Sequence, residues 1–326
     1  MSLLETASTQ ARQWRNHKGH SETGTGRGHP LGPLGKQRER WFFLLISPWL
    51  VGLLLFQAGP ILGAFALSFA EWPLPQPPHF VGLKQFQTLA ADPLFGRTLI
   101  NTAYYALGTV PTGVALGLAL ALLLNRKRRG VYLFRGLFFL PVVVSGVAIT
   151  LLWGWVFNPR YGIINALLGL IGVHGPAWLQ DEAWAMPALI LMSLWGVGTN
   201  VVVYLAALQG VPAELHEAAA LDGAGHWPRF RHVTWPLVSP VTFYLLVVNV
   251  IGSFQVFTPS YILTRGGPNN ATLTLPLYIY FNAFAWGRLG YASILALFLF
   301  LLILALTLLQ FRLAERWVFY AGGDGW

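Results

Sequence analysis

The sequence lacks cysteine and has few charged residues. Its 326 residues contain no Cys, and Asp, Glu, Lys and Arg together make up 10%. Without cysteine there are no disulfides, no thiol catalysis and no metal sites with cysteine ligands. Soluble domains average about 25% charged residues, so an ordinary soluble enzyme is excluded. The hydrophobic share of 55% also excludes a disordered chain and indicates a protein embedded in a membrane.

Motifs for nucleotide, metal or catalytic sites are also missing. Gly35-Lys36 resembles the end of a phosphate-binding loop, but the glycine and the hydroxyl that this loop requires are absent. His17, His20 and His29 lie in a polar stretch and are interpreted as solvated side chains rather than metal ligands. The apolar runs contain no HExxH motif and no carboxylate pair. We therefore predict no catalytic residue and no metal site.

The two ends of the sequence are predicted to be tails that lie outside the membrane spans. Residues 1–40 are basic and have no apolar core of the kind found in cleavable signal peptides, which predicts a disordered cytoplasmic tail. Residues 317–326 are predicted to form a short C-terminal tail. The net charge of +9 comes from basic residues that lie between apolar runs, a pattern typical of membrane topology rather than of nucleic-acid binding.

The apolar runs predict an all-α integral membrane protein with a single domain at 41–316. Eight charge-free windows are about 20 residues long or longer, the length that a membrane-spanning helix needs. Windows 161–180 and 266–287 are interrupted by Gly, Pro and Asn, so we interpret them as interfacial segments with short helices. The other six are predicted spans, at about 42–69, 99–124, 136–157, 184–209, 239–263 and 290–311.

Basic residues orient these six spans. With the N-terminus inside, 16 of the 21 Lys and Arg residues lie on the cytoplasmic side, including the cluster at 126–129. Positively charged loops remain in the cytoplasm. The sequence therefore predicts that both termini are cytoplasmic and that the loop at 210–238, between spans 4 and 5, is cytoplasmic too.

The predicted spans contain polar residues but no charged ones. Carriers coupled to protons or sodium and voltage sensors usually need charge at membrane depth, so its absence disfavours them. Asn200, Asn249 and Ser253 are the polar candidates for a solute path, and Phe254 could offer a stacking surface. Hydrogen bonds between helices explain the polar residues equally well. Both interpretations remain open at this point.

The loop between spans 4 and 5 is the most informative segment. It reads QGVPAELHEAAALDGAGHWPRFRHVTWPLVSP over 209–240. Pro212 suits the first turn of a helix, and Asp222-Gly223 is a stop signal because glycine tolerates the left-handed conformation. A second short helix is expected to begin at 226–228 and to end by Pro236. The loop could contact another protein through its alanine face, or it could pack under its own bundle.

This loop resembles the EAA loop of permeases from ABC importers, in particular the MalF/UgpA-like carbohydrate permeases. The segments LAALQGVP (205–212), FVGLKQF (80–86), SFQVFTPSYILTRGGPNNAT (253–272) and GYAS (290–293) match the same family. The resemblance covers roughly residues 41–315. It implies a membrane subunit of a solute importer that works by alternating access.

The resemblance also implies partners and roles for residues. The partners would be a second permease subunit, an ABC ATPase dimer that uses ATP and Mg, an extracytoplasmic solute-binding protein and membrane lipid. No nucleic acid and no cofactor bound by this chain are expected. The loop would dock on the ATPase as a coupling helix, with Glu217 opposite a basic residue. The residues implied in coupling are Glu217, Ala218, Ala219, Asp222, Gly223, Ala224, Phe230 and Pro236.

Some positions depart from the family pattern. Thr258 stands where many relatives carry Asp after SFQVF, the large extracytoplasmic insertion of the maltose permease is missing, and the 1–40 extension has no family counterpart. The solute is therefore open beyond a carbohydrate or related polar compound. The alternative function is a secondary carrier or facilitator that works alone.

Overall fold

The structure, a computed structural model, describes residues 33–73, 75–126 and 130–320. The three histidines and most of the predicted basic tail, three residues of the basic cluster (127–129) and the last residues (321–326) lie outside these ranges. The chain forms two units that meet in sequence at Pro60. The first unit contains helix α1 (Pro33–Leu53) and a π-helical turn (Leu54–Ala58).

Helices dominate the second unit. Helix α2 (Gly59–Leu67) leads into it, and β1 (Ala70–Glu71) pairs antiparallel with β2 (His79–Phe80). The α-helices that follow are α3 (Lys84–Ala91), α4 (Pro93–Leu124), α5 (Val131–Val143), α6 (Gly146–Val156), α7 (Ile163–Leu170), α8 (Glu182–Ser193), α9 (Gly198–Gln209), α10 (Ala213–Leu221), α11 (His226–Arg229), α12 (Trp235–Phe254), α13 (Leu275–Tyr280) and α14 (Leu289–Ala314).

The described residues confirm a mostly helical protein with five or six apolar spans. Five stretches are long and apolar enough to cross a membrane: Arg40–Leu67, Pro93–Leu124, Glu182–Gln209, His226–Phe254 and Leu289–Ala314. A sixth span results if the bent pair α5–α6 is counted as one. Short helices lie in both windows that were interpreted as interfacial, α7 in the first and α13 in the second. The exact number of spans and the side of each terminus stay predictions.

Two helices begin earlier than predicted. Helix α4 starts at Pro93, six residues before position 99, and the Asp92 carboxylate accepts the Leu94 N–H at 2.9 Å as its N-cap. Helix α1 starts at Pro33, inside the segment predicted as a tail. The predictions stopped at charged residues because they followed charge-free windows. A helix can continue beyond the apolar layer, because its backbone hydrogen bonds are made within the helix and do not depend on the surroundings.

The predicted third span, 136–157, is not a straight helix. Helices α5 and α6 meet at an angle of 103°. Pro141 lacks an N–H and lies in the last turn of α5, and Val144 has extended backbone angles (φ −84°, ψ 141°). Proline interrupts the helical hydrogen bonds, so the chain changes direction within a continuous apolar run.

The prediction that the helix starting at 226–228 ends by Pro236 is wrong. Helix α11 continues through a π-helical turn (Phe230–Thr234) into α12, and the whole stretch ends at Phe254 rather than near 263. Pro236, which has no N–H, is the second residue of α12, and the π-helical turn directly before it accommodates the missing donor. Pro240 leaves the Pro236 carbonyl without its usual donor, and the Ser239 hydroxyl donates to that carbonyl at 2.7 Å.

Helix α4 is the central element, since α8, α9, α12 and α13 all pack against it. Its small residues allow close approach: a Cβ on Gly117 would lie 2.7 Å from the Cβ of Asn200 on α9. Gly113 and Gly117 form a GxxxG pattern, which brings membrane helices together. Tyr204 of α9 is fully buried against this face, and its hydroxyl donates to Thr242 of α12 at 3.1 Å.

One end of this helix bundle is locked by buried hydrogen bonds. We call it the Asp92 end, and we call the chain from 264 to 275 the interlock segment. Asn101 of α4 donates to the carbonyls of Asn270 and Leu273 at 2.7 and 3.0 Å. The Leu275 N–H donates to the Thr102 hydroxyl at 2.9 Å. These three hydrogen bonds fix an irregular segment directly on a spanning helix.

Asp92 joins three elements at the same end. Its second carboxylate oxygen accepts hydrogen bonds from the hydroxyls of Tyr278 (2.6 Å) on α13 and Tyr291 on α14. Burial, together with the hydrogen bond to this carboxylate, raises the pKa of Tyr278 to about 12. The raised pKa keeps the tyrosine protonated, and therefore a hydrogen-bond donor, to well above neutral pH. Nearby, Lys84 holds the pKa of Glu71 below its ordinary value through a 2.8 Å hydrogen bond.

Candidate functional site

A cavity of about 360 Å³ lies between α4, α8, α9 and α12. Three of the four residues predicted for a solute path line it: Asn200, Asn249 and Ser253. It lies beside the 3₁₀ turn Leu194–Val197, which interrupts the span Glu182–Gln209. The lining consists of hydroxyls, amides, glycines and aliphatic side chains. None of the described residues that line the cavity is charged.

Asn200 and Asn249, which both line the cavity, are joined by a hydrogen bond. Asn200 donates to the Gly113 carbonyl of α4 at 3.1 Å, and its own carbonyl oxygen accepts from Asn249 at 3.2 Å. Asn249 also donates to the Leu245 carbonyl at 2.7 Å. Both N–H groups of Asn249 are thus used inside the protein. In the described part of the chain, no hydrogen bond occupies its carbonyl oxygen, which can accept one from a solute hydroxyl.

Not every predicted path residue reaches the cavity. Phe254 is buried, with 8% of its surface exposed, but it does not line the cavity. Tyr105 and Thr109 of α4 also line it, although neither is among the predicted path residues. They lie four residues apart, as does Gly113 from Thr109, so they share one helix face. Polar residues at helical spacing within an apolar span are the sequence feature that could have identified this lining.

The cavity is open along one side. Thr199 and Tyr244 line it and are exposed, Tyr244 to 57% and its neighbour Val248 to 45%. The exposed Tyr244 and Val248 on α12, together with the exposed Thr199 on α9, form a surface that another apolar or amphipathic element can cover. The second unit alone therefore encloses only part of this space.

Helix α10 lies in the loop between the fourth and fifth spans. It begins directly after Pro212, which stands just before the helix rather than in its first turn. No residue of the helix is buried. Glu217 and Ala218 are exposed, and no salt bridge found among the described residues involves Glu217. Leu221 is 90% exposed. The helix does not pack under its own bundle.

The end of α10 has the backbone turn that the sequence predicts. Gly223 has φ +78°, a conformation that favours glycine. The Gly223 N–H donates to the Ala220 carbonyl at 3.1 Å and the Ala224 N–H donates to the Ala219 carbonyl at 2.9 Å. These two bonds form a Schellman motif. The turn sets the direction in which the chain leaves α10 after Asp222.

The remaining residues implied in coupling lie on the helix that follows. Phe230 stacks on Trp227 with ring centroids 5.5 Å apart and lines a second cavity of about 780 Å³. Pro236 lies six residues further along the chain and is half-buried. The structure thus separates this set: residues 217–219 and 222–224 lie on and just after the exposed helix α10, whereas Phe230 and Pro236 belong to the start of the fifth span.

Comparison with known proteins identifies related chains over most of this length. The model of the family described as binding-protein-dependent transport system inner membrane component matches residues 113–319. The probable ABC transporter permease protein YesP of Bacillus subtilis is 35% identical, over 85% of this chain and 91% of that protein. The arabinooligosaccharides transport system permease protein AraP of the same organism is 32% identical, over 89% and 96%.

A solved structure has the same fold. It is a bacterial alginate ABC transporter in complex with an alginate pentasaccharide-bound periplasmic protein, and one of its chains aligns with a TM-score of 0.76 at 23% identity. The alignment covers 86% of this chain and 96% of the other. At this identity the likeness supports the fold alone.

Proposed function

The chain belongs to the family of binding-protein-dependent transport system inner membrane components, and we propose that it is the permease subunit of an ATP-driven importer for a carbohydrate or related uncharged polar solute. The cavity between α4, α8, α9 and α12 carries this proposal. Amides and hydroxyls such as Asn249 and Thr109 can hydrogen bond to sugar hydroxyls, and Tyr244 offers a ring for stacking. A lining without charge favours a neutral solute.

We further propose that α10 couples this cavity to a separate ATPase dimer that binds ATP and Mg. The support is geometric: α10 is exposed, its alanine face is narrow, and Glu217 has no ion-pair partner among the described residues. Ala218 and Ala219 let a partner surface approach the helix backbone closely. The Gly223 turn, with Asp222 and Ala224 on either side, transmits the movement of α10 to the fifth span, where Phe230 and Pro236 lie.

The open side of the cavity supports a second permease subunit as partner. Tyr244 and Val248 on α12 and Thr199 on α9 are exposed next to the cavity. A related subunit that covers this face would complete the wall of the solute path and shield it from lipid. In the proposed orientation, α10 and both termini are cytoplasmic, and a solute-binding protein delivers the solute at the Asp92 end. The path would open to the two sides in alternation.

The experiment that tests the function is a mild-detergent pull-down of the tagged chain from its native membranes. Mass spectrometry and an ATPase assay are then applied to the eluate. We expect a second six-span permease, a P-loop ATPase and ATP hydrolysis that rises with solute and binding protein. Recovery of the chain alone, with solute flux in liposomes that contain only this chain, would overturn the proposal in favour of a stand-alone carrier.

A further inference from the structure

The second cavity, of about 780 Å³, lies at the other end of the bundle from Asp92 and has two different halves. One half is apolar and is formed largely by α4. Ala115, Leu118, Ala119 and Leu122 follow one another at helical spacing on one face of α4 and line the cavity. This stripe is about 10 Å long at 1.5 Å per residue.

The other half is basic and aromatic. Arg126 lies two residues beyond Leu124, the last residue of α4, and lines the cavity at that end of the apolar stripe. Arg229 and the two histidines His216 and His226 line the cavity from the loop that contains α10 and from α11. None of the described lining residues is acidic.

Both arginines have donors to spare. The salt bridges found among the described residues involve neither Arg126 nor Arg229. Arg229 donates through its Nε to the Gly225 carbonyl at 3.3 Å, which leaves its terminal N–H groups free for another acceptor. Guanidinium groups pair with phosphate oxygens in a bidentate manner. Trp227 stands beside them, stacked on Phe230 and 68% exposed, as aromatic residues do at membrane interfaces.

We infer that this cavity binds an anionic glycerophospholipid. Its phosphate lies between Arg126 and Arg229, and one acyl chain runs along the stripe from Leu122 to Ala115. The apolar stripe favours a lipid over a free phosphate compound, because a soluble phosphate would leave that wall unused. Basic cavities between membrane helices at the cytoplasmic side take anionic headgroups. The inference rests on the proposed orientation of the membrane helices and does not depend on transport.

A lipid bound in this cavity would link α4 to the loop that contains α10. The cavity contains residues of α4 and α9 (Leu208), residues of the loop and residues at the start of the fifth span. A bound lipid would join the end of α4 to the segment that directly follows the Gly223 turn. It would therefore hold the loop at the membrane surface in the position where α10 is exposed.

The test is native mass spectrometry of the full-length protein, purified with its accompanying subunits and exchanged into detergent with phosphatidylglycerol or phosphatidylcholine. We expect the wild type to retain phosphatidylglycerol in preference. The double variant Arg126→Gln/Arg229→Gln should lose roughly tenfold or more of this binding. The matched control Arg312→Gln/Arg316→Gln removes the same charge at the end of α14 and should bind as the wild type does.

A second pair of measurements separates the lipid from free phosphate. Ala119→Trp places a large side chain on the exposed stripe, and it should abolish phosphatidylglycerol retention while Arg126 and Arg229 remain. Inorganic phosphate alone should not compete. Equal retention by the arginine double variant and the control would overturn the inference, and so would displacement by inorganic phosphate or full retention by Ala119→Trp. If the glutamine pair does not fold, Ala119→Trp still decides the question. None of these readouts requires transport.

Discussion

The two ends of the second unit are built in opposite ways. At the Asp92 end, buried side chains of α4 donate to or accept from the backbone of the interlock segment, as Asn101 and Thr102 do. At the end that contains Glu217, helix α10 has no buried residue, and a backbone turn at Gly223 sets the direction in which the chain leaves it. One end is fixed by side-chain contacts, and the other depends on the conformation of a single glycine.

The difference matters because the cavity lies between the two ends. Under the proposed function, the solute path needs a rigid frame on which helices can move, and the Asp92 end has buried hydrogen bonds that could form such a frame. A coupling element needs an exposed surface that a partner can hold, and α10 has that exposure. Substitutions at the first end should therefore lower the stability of the protein. Substitutions at the second should spare stability and affect partner binding or transport.

The largest effect is expected for Asp92→Ala. The change removes the N-cap of α4 and leaves the hydroxyls of Tyr278 and Tyr291 without their charged acceptor. The free energy of unfolding should fall by about 3 kcal/mol. Asp181→Ala is the matched control, because Asp181 caps α8 through the Ala183 N–H only, and it should cost about 1 kcal/mol. Thermal unfolding in detergent measures both. Equal losses would mean that the Asp92 end is not locked by this carboxylate.

The next effect tests the opposite end. Gly223→Val forces a β-branched residue to φ +78°, at a local cost of about 1–2 kcal/mol. We expect transport to be lost while membrane insertion is unchanged and the free energy of unfolding falls by no more than this local cost. Gly225→Val is the control, since Gly225 has φ −71° and a Cβ there meets no atom closer than 4.0 Å. Normal uptake by Gly223→Val would refute the role of this turn in coupling.

The sequence predicts the loop better than it predicts the locked end. The stop at Asp222-Gly223 follows from local chemistry, and the structure has the corresponding positive φ and Schellman bonds. The links from Asn101 to the interlock segment join residues 169 and 172 positions apart. Neither the periodicity of apolar residues nor the distribution of charge in the sequence indicates that residues so far apart form hydrogen bonds. The polar residues of α4 look in sequence like ordinary helix positions.

The same limit applies to the cavity and to the spans. Asn200, Asn249 and Ser253 stood out because amides and hydroxyls are rare in apolar helices, and all three line the cavity. Phe254 was predicted for the same path as a stacking surface, but it does not line the cavity, and an aromatic residue in a span does not by itself indicate which surface it faces. The helix end at Pro236 was predicted wrongly because the π-helical turn before it accommodates the proline. Whether a π-helical turn forms before a proline depends on tertiary contacts, which the local sequence does not reveal.

A smaller effect is expected for Glu217→Lys. The change places a positive charge opposite the basic ATPase residue that the proposed docking requires, and binding of the ATPase should weaken roughly tenfold at low salt. Glu214→Lys alters the charge of the same helix by the same amount, three residues away, and should have little effect. Binding of the purified ATPase to the permease in nanodiscs measures both. If the two variants weaken binding equally, only the net charge of α10 matters.

The smallest effect is expected at the Asp92 end, where two variants compare an exposed ion pair with buried hydrogen bonds. Arg97 and Glu182 form an ion pair at 3.0 Å, with side chains 46% and 48% exposed. Solvent screens such a pair, so Arg97→Gln should cost less than about 1 kcal/mol of unfolding free energy, and less still at high salt. Asn101→Ala, one helical turn along α4, removes two hydrogen bonds to the interlock segment and should cost more at every salt concentration. Salt titration of the unfolding midpoint compares the two variants. A larger, salt-dependent loss for Arg97→Gln would show that surface charge, rather than buried hydrogen bonds, fixes this end.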